Sequence, residues 1–160
     1  MSEEIALDND SKINIRQANE DDLGAILALH RQLGDKAEQS LNLKEANEMF
    51  AKFSQYPYYK VFIAEIQGQT VGTFALLIMN NIAHKGAPSG VIEDVVVSQD
   101  HRSKGIGKIM MNFAMEQCRK QGCYKVALSS NSKRIDAHRF YESLGFVKHG
   151  YSFSMNLPKA

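Results

Sequence analysis

Val91–Gly122, VIEDVVVSQDHRSKGIGKIMMNFAMEQCRKQG, constrains the fold more tightly than any other stretch of the chain. Val91–Ser98 is nearly continuous in β-branched apolar residues and reads as an interior strand. A basic, glycine-punctuated turn follows: Arg102, Ser103, Lys104, Gly105, Ile106, Gly107 and Lys108. Ile106, Ile109, Met110, Phe113, Ala114 and Cys118 then share one helical face. Arg119 and Lys120 suit the last turn, and Gly122 fits the stop. Tyr124–Ser130 reads as the next strand. Strand, crossover helix and strand make a βαβ unit, so these two strands are expected to be parallel with a right-handed connection.

The flanking sequence supplies the other elements. Residues 1–11 read as a loose tail, and 12–160 as one domain. Lys12–Ala18 alternates as a first strand. Asn19 is placed to cap a helix whose first turn holds Glu20, Asp21 and Asp22, and Gly34 ends it. Leu41–Phe53 has helical spacing. Tyr59–Ile66 and Thr70–Met79 read as a hairpin around Gln67-Gly68-Gln69. Asn80–Gly90 is a polar loop, Ile135–Leu144 a short helix, and Phe146–His149 with Tyr151–Leu157 a final strand pair. The order implies a mixed α/β fold, with helices on both faces of a mixed sheet.

Charge and hydropathy narrow the function classes. Nineteen basic against eighteen acidic residues give a formal charge of +1, without the basic excess of a nucleic-acid binder. No apolar run approaches the ~20 residues of a membrane span. The acidic start lacks a signal-peptide core, so the expected location is the cytosol. Cys118 and Cys123 read as packed thiols, not as a disulfide framework or zinc pair.

The glycine turn admits three anion-binding readings. A P-loop needs G-x4-G-K-S/T, but Ile109 follows Gly107-Lys108 and Arg102 occupies the first glycine position. A dinucleotide turn needs G-x-G-x-x-G, and Met110 occupies the third glycine position. The third reading aims the backbone N–H groups of residues 104–108 at a pyrophosphate from a helix N-terminus, with Arg102 and Lys104 adding charge. An ordinary turn with solvated basic residues remains the plain alternative.

Arg102, Gly105 and Gly107 fit Q/R-x-x-G-x-G/A, and Ala137–Phe146, AHRFYESLGF, fits A-x-x-F-Y-E-x-x-G-F. The two motifs, at this separation, resemble those of the GNAT superfamily of N-acetyltransferases. SSNSKRIDAHRFYESLGF most resembles the aminoalkylphosphonate N-acetyltransferases. GCYKVAL and IEDVVV also resemble the glucosamine-phosphate N-acetyltransferases. The resemblance implies the GNAT fold: a twisted, mostly antiparallel sheet of six or seven strands, with a parallel pair splayed at the acetyl-CoA site. It implies acetyl-CoA as cosubstrate and a small-molecule amine as partner, and it allows a homodimer across the final strands.

Site residues follow from the same resemblance. Val95, Val96 and Val97 would offer backbone groups to the pantetheine arm, with an N–H near Val95 polarising the thioester carbonyl. Residues 102–108 would bind the pyrophosphate. Asn131 would replace the usual asparagine at the position of Arg134, and His138 would pack or touch the coenzyme. Tyr141 would protonate the departing thiolate. Strand alternation puts Glu93 and Asp94 on opposite faces; the family favours an acid at Glu93, which is taken as the base, and no ligand cluster argues for a metal. Lys133 and Arg134 would face an acidic substrate group, the coenzyme's 3′-phosphate or solvent, and His84 an acceptor pocket or solvent. His30 reads as a core-edge residue and His101 as solvated. Three functions remain open: a small-amine N-acetyltransferase, an acetyltransferase acting on peptide amines, and a non-catalytic acyl-CoA module.

Overall fold

The computed structural model describes residues 2–6, 12–33, 40–155 and 157. The chain divides into two compact units, Met1–Leu128 and Ser129–Ala160. No helix among the described residues is long and apolar enough to cross a membrane.

The first unit is built on one six-stranded sheet in the order β1-β2-β3-β4-β5-β6. Ser2–Ala6 form β1, which corrects the expectation of a loose tail there. They pair antiparallel with β2, Lys12–Gln17, placing Ile5 opposite Ile13. Residues 7–11 lie outside the described set, as does Gly34, the expected helix stop. β3, Tyr59–Ile66, and β4, Gln69–Met79, form the expected hairpin. Its turn is the pair Gln67-Gly68, with φ of 50° and 77°. Positive φ at both turn residues suits the twist of a tight hairpin.

β5 spans Ser89–Val97 and pairs antiparallel with β4. β6, Lys125–Leu128, is parallel to β5, as the βαβ reading requires. Their pairing runs from Ser89↔Lys125 to Ile92↔Leu128, while β5 continues to Val97. The two strands therefore part after Ile92.

α1, Leu23–His30, is preceded by a 3-10 turn, Glu20–Asp22, capped by Asn19. The Asn19 side chain accepts from the Asp21 N–H, and the Asp22 carboxylate accepts from the Asn19 N–H. α2, Leu43–Phe53, starts with a reciprocal box between Asn42 and Glu45. Leu23, Ile26 and Leu27 of α1 and Ala46 of α2 cluster with Ile63 of the sheet.

The opposite sheet face carries α3, Ile106–Lys120. Phe113 packs edge-on to Phe62 at 5.2 Å between ring centroids, and Phe62 stacks on Phe74 at 5.2 Å. Phe62 and Ile63 are adjacent in one strand, so they point to opposite faces. Helices thus cover both faces, as expected. Two glycines allow α3 to sit close: a Cβ on Gly72 would lie 2.6 Å from Met110 Sδ, and one on Gly90 would meet Cys118 Sγ.

Burial pushes the Cys118 thiol up to about 12, and burial also raises Cys123. Both thiols are free and stay protonated at neutral pH, which fits packed side chains and not nucleophiles.

The second unit contains α4, Ile135–Ser143, with Gly145 left-handed at φ 91° beyond its end. Tyr141 lies between Phe140 and Phe146, at centroid distances of 5.2 Å and 6.0 Å. The final strand pair expected at 146–149 and 151–157 is absent among the described residues. Tyr151, Phe153 and Met155 keep strand periodicity, yet are 92%, 92% and 83% exposed. Alternation alone does not form a strand when the backbone has no pairing partner.

Candidate active site

A break in the β4–β5 register shapes the centre of the first unit. Ala75 pairs with Glu93 and Thr73 pairs with Val96, so Asp94 and Val95 both oppose Phe74. The extra residue is a β-bulge, and Asp94 takes the left-handed conformation at φ 51°. Aspartate tolerates that region better than most residues.

The bulge corrects the expectation that Glu93 and Asp94 face opposite ways. Directly paired residues share a sheet face. Glu93 shares the face of Ala75, and Val96 shares the face of Thr73. Ala75, Thr73 and Asp94 line the same cavity, so both acids belong to the face covered by α1 and α2. The Tyr59 hydroxyl registers this arrangement: burial raises its pKa most, then the carboxylates of Asp94 and Glu93. An acidic residue interrupting a β-branched run was the only sequence signal for the bulge.

The cavity has a volume of about 120 Å³. Leu23, Ile26, Leu27 and His30 of α1 form one wall, and Ala46, Met49, Phe50 and Phe53 of α2 another. Tyr59, Val61, Thr73 and Ala75 supply the sheet side. His30, read from sequence as a core-edge residue, is part of this lining. Asp94 is exposed and also lines the cavity, so it stands at the mouth. His84 lies elsewhere in the same unit, its ring stacked on Tyr124 at 3.9 Å.

The glycine turn leads from the end of β5 into α3. Ser103 and Gly105 are left-handed, at φ 61° and 79°, as in backbone that builds anion-binding nests. Among the described residues no side chain caps the α3 N-terminus, which leaves its first-turn N–H groups available to an anion. Arg102, Ser103, Lys104 and Lys108 are exposed beside them, while the Ile106 side chain is buried and leaves only its backbone for a ligand. Gly107 is half-buried, so a ligand would approach its bare backbone. Arg102 Nε also donates a long, 3.4 Å bond to the Val97 carbonyl, tying the turn to the strand.

Val96 is buried, while Val95 and Val97 are half-buried. β6 has ended where these residues run, so among the described residues no strand pairs with the edge of β5 opposite β4 there. Splayed strand and uncapped basic turn together fit an extended thioester with a pyrophosphate at one end. Among the described residues, no group of three or more His, Cys, Asp or Glu side chains is placed to hold a metal ion.

The remaining expected residues fall in the second unit. Burial raises the Tyr141 hydroxyl pKa, partly opposed by the Arg134 guanidinium. His138 Nε2 lies 2.9 Å from the Asn131 carbonyl oxygen, and the Asn131 side chain accepts from the Lys133 N–H at 2.9 Å. These contacts organise the start of α4. Lys133 and Arg134 are exposed there.

Comparison with known proteins agrees with this geometry. Residues 26–146 match the model of the acetyltransferase (GNAT) family. A glucosamine 6-phosphate N-acetyltransferase of Trypanosoma brucei brucei is 39% identical over 98 residues, covering 61% of this chain. The chain spans 65% of that relative's length, just under two thirds. An aminoalkylphosphonate N-acetyltransferase of Salmonella typhimurium is 29% identical over 143 residues, covering 89% of this chain and 90% of the relative. The crystal structure of glucosamine-6-phosphate N-acetyltransferase from Arabidopsis thaliana superposes with a TM-score of 0.78 at 27% identity, covering 91% of this chain and 99% of that one. With the bulged, splayed strand, the glycine turn and a family match across most of its length, the chain belongs to the acetyltransferase (GNAT) family.

Proposed function

We propose that the protein transfers an acetyl group from acetyl-CoA to the primary amine of a small molecule by direct attack in a ternary complex. The observation that carries this reading is the open edge of β5 leading into an uncapped, basic helix N-terminus. The N–H groups of 104–108 bind the pyrophosphate, helped by Arg102, Lys104 and Lys108. Val95, Val96 and Val97 hold the pantetheine arm, and an N–H near Val95 takes up charge developing on the thioester oxygen. Asn131, Arg134 and His138 are further candidates for coenzyme contacts.

The amine must be deprotonated before it has a lone pair to attack with. Glu93, acting through water, takes that proton. The new C–N bond forms as the C–S bond breaks, the thiolate receives the Tyr141 proton, and the second proton shed by the nitrogen returns through water to the tyrosinate. Burial keeps that hydroxyl protonated throughout the neutral range. A formal charge of +1 and a small, mostly apolar cavity support a small acceptor over a nucleic acid or an extended peptide.

Coenzyme A release from acetyl-CoA, measured across a panel of amines, tests the reading. Turnover on peptides alone would remove the small-molecule acceptor. Acetyl-CoA binding with no turnover on any amine would leave a binding module. Tyr141→Phe is expected to lower kcat about 100-fold, in the range of a lost general acid, with little change in acetyl-CoA affinity. An unchanged kcat would remove the acid role.

A further inference from the structure

Resting on the acetyl-transfer reading, we propose that the acceptor is a primary amine with an uncharged, apolar body about the size of one aromatic ring. Its ammonium is held by Asp94. The substrates named for the two relatives described above carry a phosphate or phosphonate, and the described lining of this cavity is poorly suited to one. Among its described lining residues there is no lysine or arginine, and its one carboxylate would repel an anion. Phosphoryl groups favour several charge-assisted donors, and among the described lining residues His30 alone could become one.

What the walls do supply is apolar area. Leu23, Ile26 and Leu27 face Met49, Phe50 and Phe53 across the space. The volume of about 120 Å³ approaches that of a dry cavity of about 150 Å³ known to accept benzene. A phenyl or branched alkyl group therefore fills it, whereas a hydroxylated sugar would strand its hydroxyls against carbon.

Asp94 supplies the polar end. The bulge turns this carboxylate onto the cavity face, where alternation alone would have pointed it away. At neutral pH the amine arrives as an ammonium. Asp94 at the mouth orients it with the apolar body inward, while Glu93, on the same face, is left to accept the proton. Asp94 is therefore a specificity-determining residue that the family motifs do not mark.

The test compares phenethylamine with phenethyl alcohol, its uncharged counterpart, by equilibrium binding to the whole chain. The native protein is expected to favour the amine by about tenfold or more, as a charge-assisted contact implies. In Asp94→Asn, which preserves a residue tolerant of left-handed backbone, that preference is expected to disappear. A circular dichroism spectrum matching the native protein confirms the fold of the variant. Equal binding of amine and alcohol by the native protein would overturn the assignment. So would a higher kcat/KM for glucosamine 6-phosphate or aminoethylphosphonate than for phenethylamine and isopentylamine, although acetyl transfer itself would then stand. Amine-selective binding with no acetylation of any amine would support the ligand class and remove the acetyl-transfer reading instead.

Discussion

Arg16→Leu is expected to lower the folding stability by about 3–5 kcal/mol, the usual cost of removing one partner from a buried charge network. Arg16 of β2 grips Asp22 with two bonds, of 2.7 Å and 2.8 Å. It grips Glu65 of β3 with two more, of 2.8 Å and 3.0 Å. The Asp22 and Glu65 side chains are only 9% and 15% exposed, so water cannot readily replace the guanidinium. Leucine fills much of the same volume but leaves two neighbouring carboxylates without a cation. For a chain of this length the loss corresponds to a fall in Tm of roughly 6–20 °C. A denaturant titration showing less than about 1 kcal/mol of loss would mean that both carboxylates regain water or other donors.

The pH dependence of this variant has a definite sign. The Arg16 hydrogen bonds hold the Asp22 carboxyl below its ordinary value, and the Asn19 N–H adds to this. A depressed carboxylate stabilises the folded state above its unfolded pKa of about 3.9. That contribution is lost as pH falls through the lower, folded value. The gap between native protein and Arg16→Leu should therefore be widest at neutral pH and close below about pH 4. A gap that stays constant from pH 7 to pH 3 would assign the loss to packing.

Phe113→Ala is the second large effect, with an expected loss of about 3–5 kcal/mol for a truncated core aromatic. Phe113 is 3% exposed and meets both Phe62 and Phe74. Its ring is the main wedge between α3 and the sheet, so alanine leaves a void that the stacked pair beneath cannot fill. Phe113→Leu should retain most of the stability, because it restores apolar volume and loses mainly the edge-to-face geometry. If leucine and alanine destabilise equally in urea, ring geometry and not volume holds the helix.

Much of this architecture was legible because its signals are local. The α3 stripe, the Gln67-Gly68 turn and the Asn19 cap each need only a few neighbouring residues, and each is found where the sequence places it. The bulge at Asp94 was not legible. It depends on how β4 and β5 register, and VIEDVVV alternates no differently whether one residue is extra or none. The consequence fell on the site: both acids share a face, and Asp94 enters the acceptor cavity. The terminal alternation of Tyr151, Phe153 and Met155 failed for the complementary reason. Periodicity says which face a strand would bury, and it cannot supply the edge that would make it a strand. β1 went unseen because Glu3 and Glu4 made five residues look like tail, when their pairing with β2 is largely a backbone matter.

The two glycines beneath α3 make the helix a rocker with a bearing at each end. Gly72 sits under Met110 near the anion-binding turn, and Gly90 under Cys118 near the far end. Those two contacts are roughly 12 Å apart along the axis at 1.5 Å per residue. Bulk added at one bearing tips the helix one way, and bulk at the other tips it back. The height of the turn above the open edge of β5 is thus adjustable from positions that touch no ligand. Drift at these buried sites offers a route to retune coenzyme grip while every residue of the glycine motif stays unchanged.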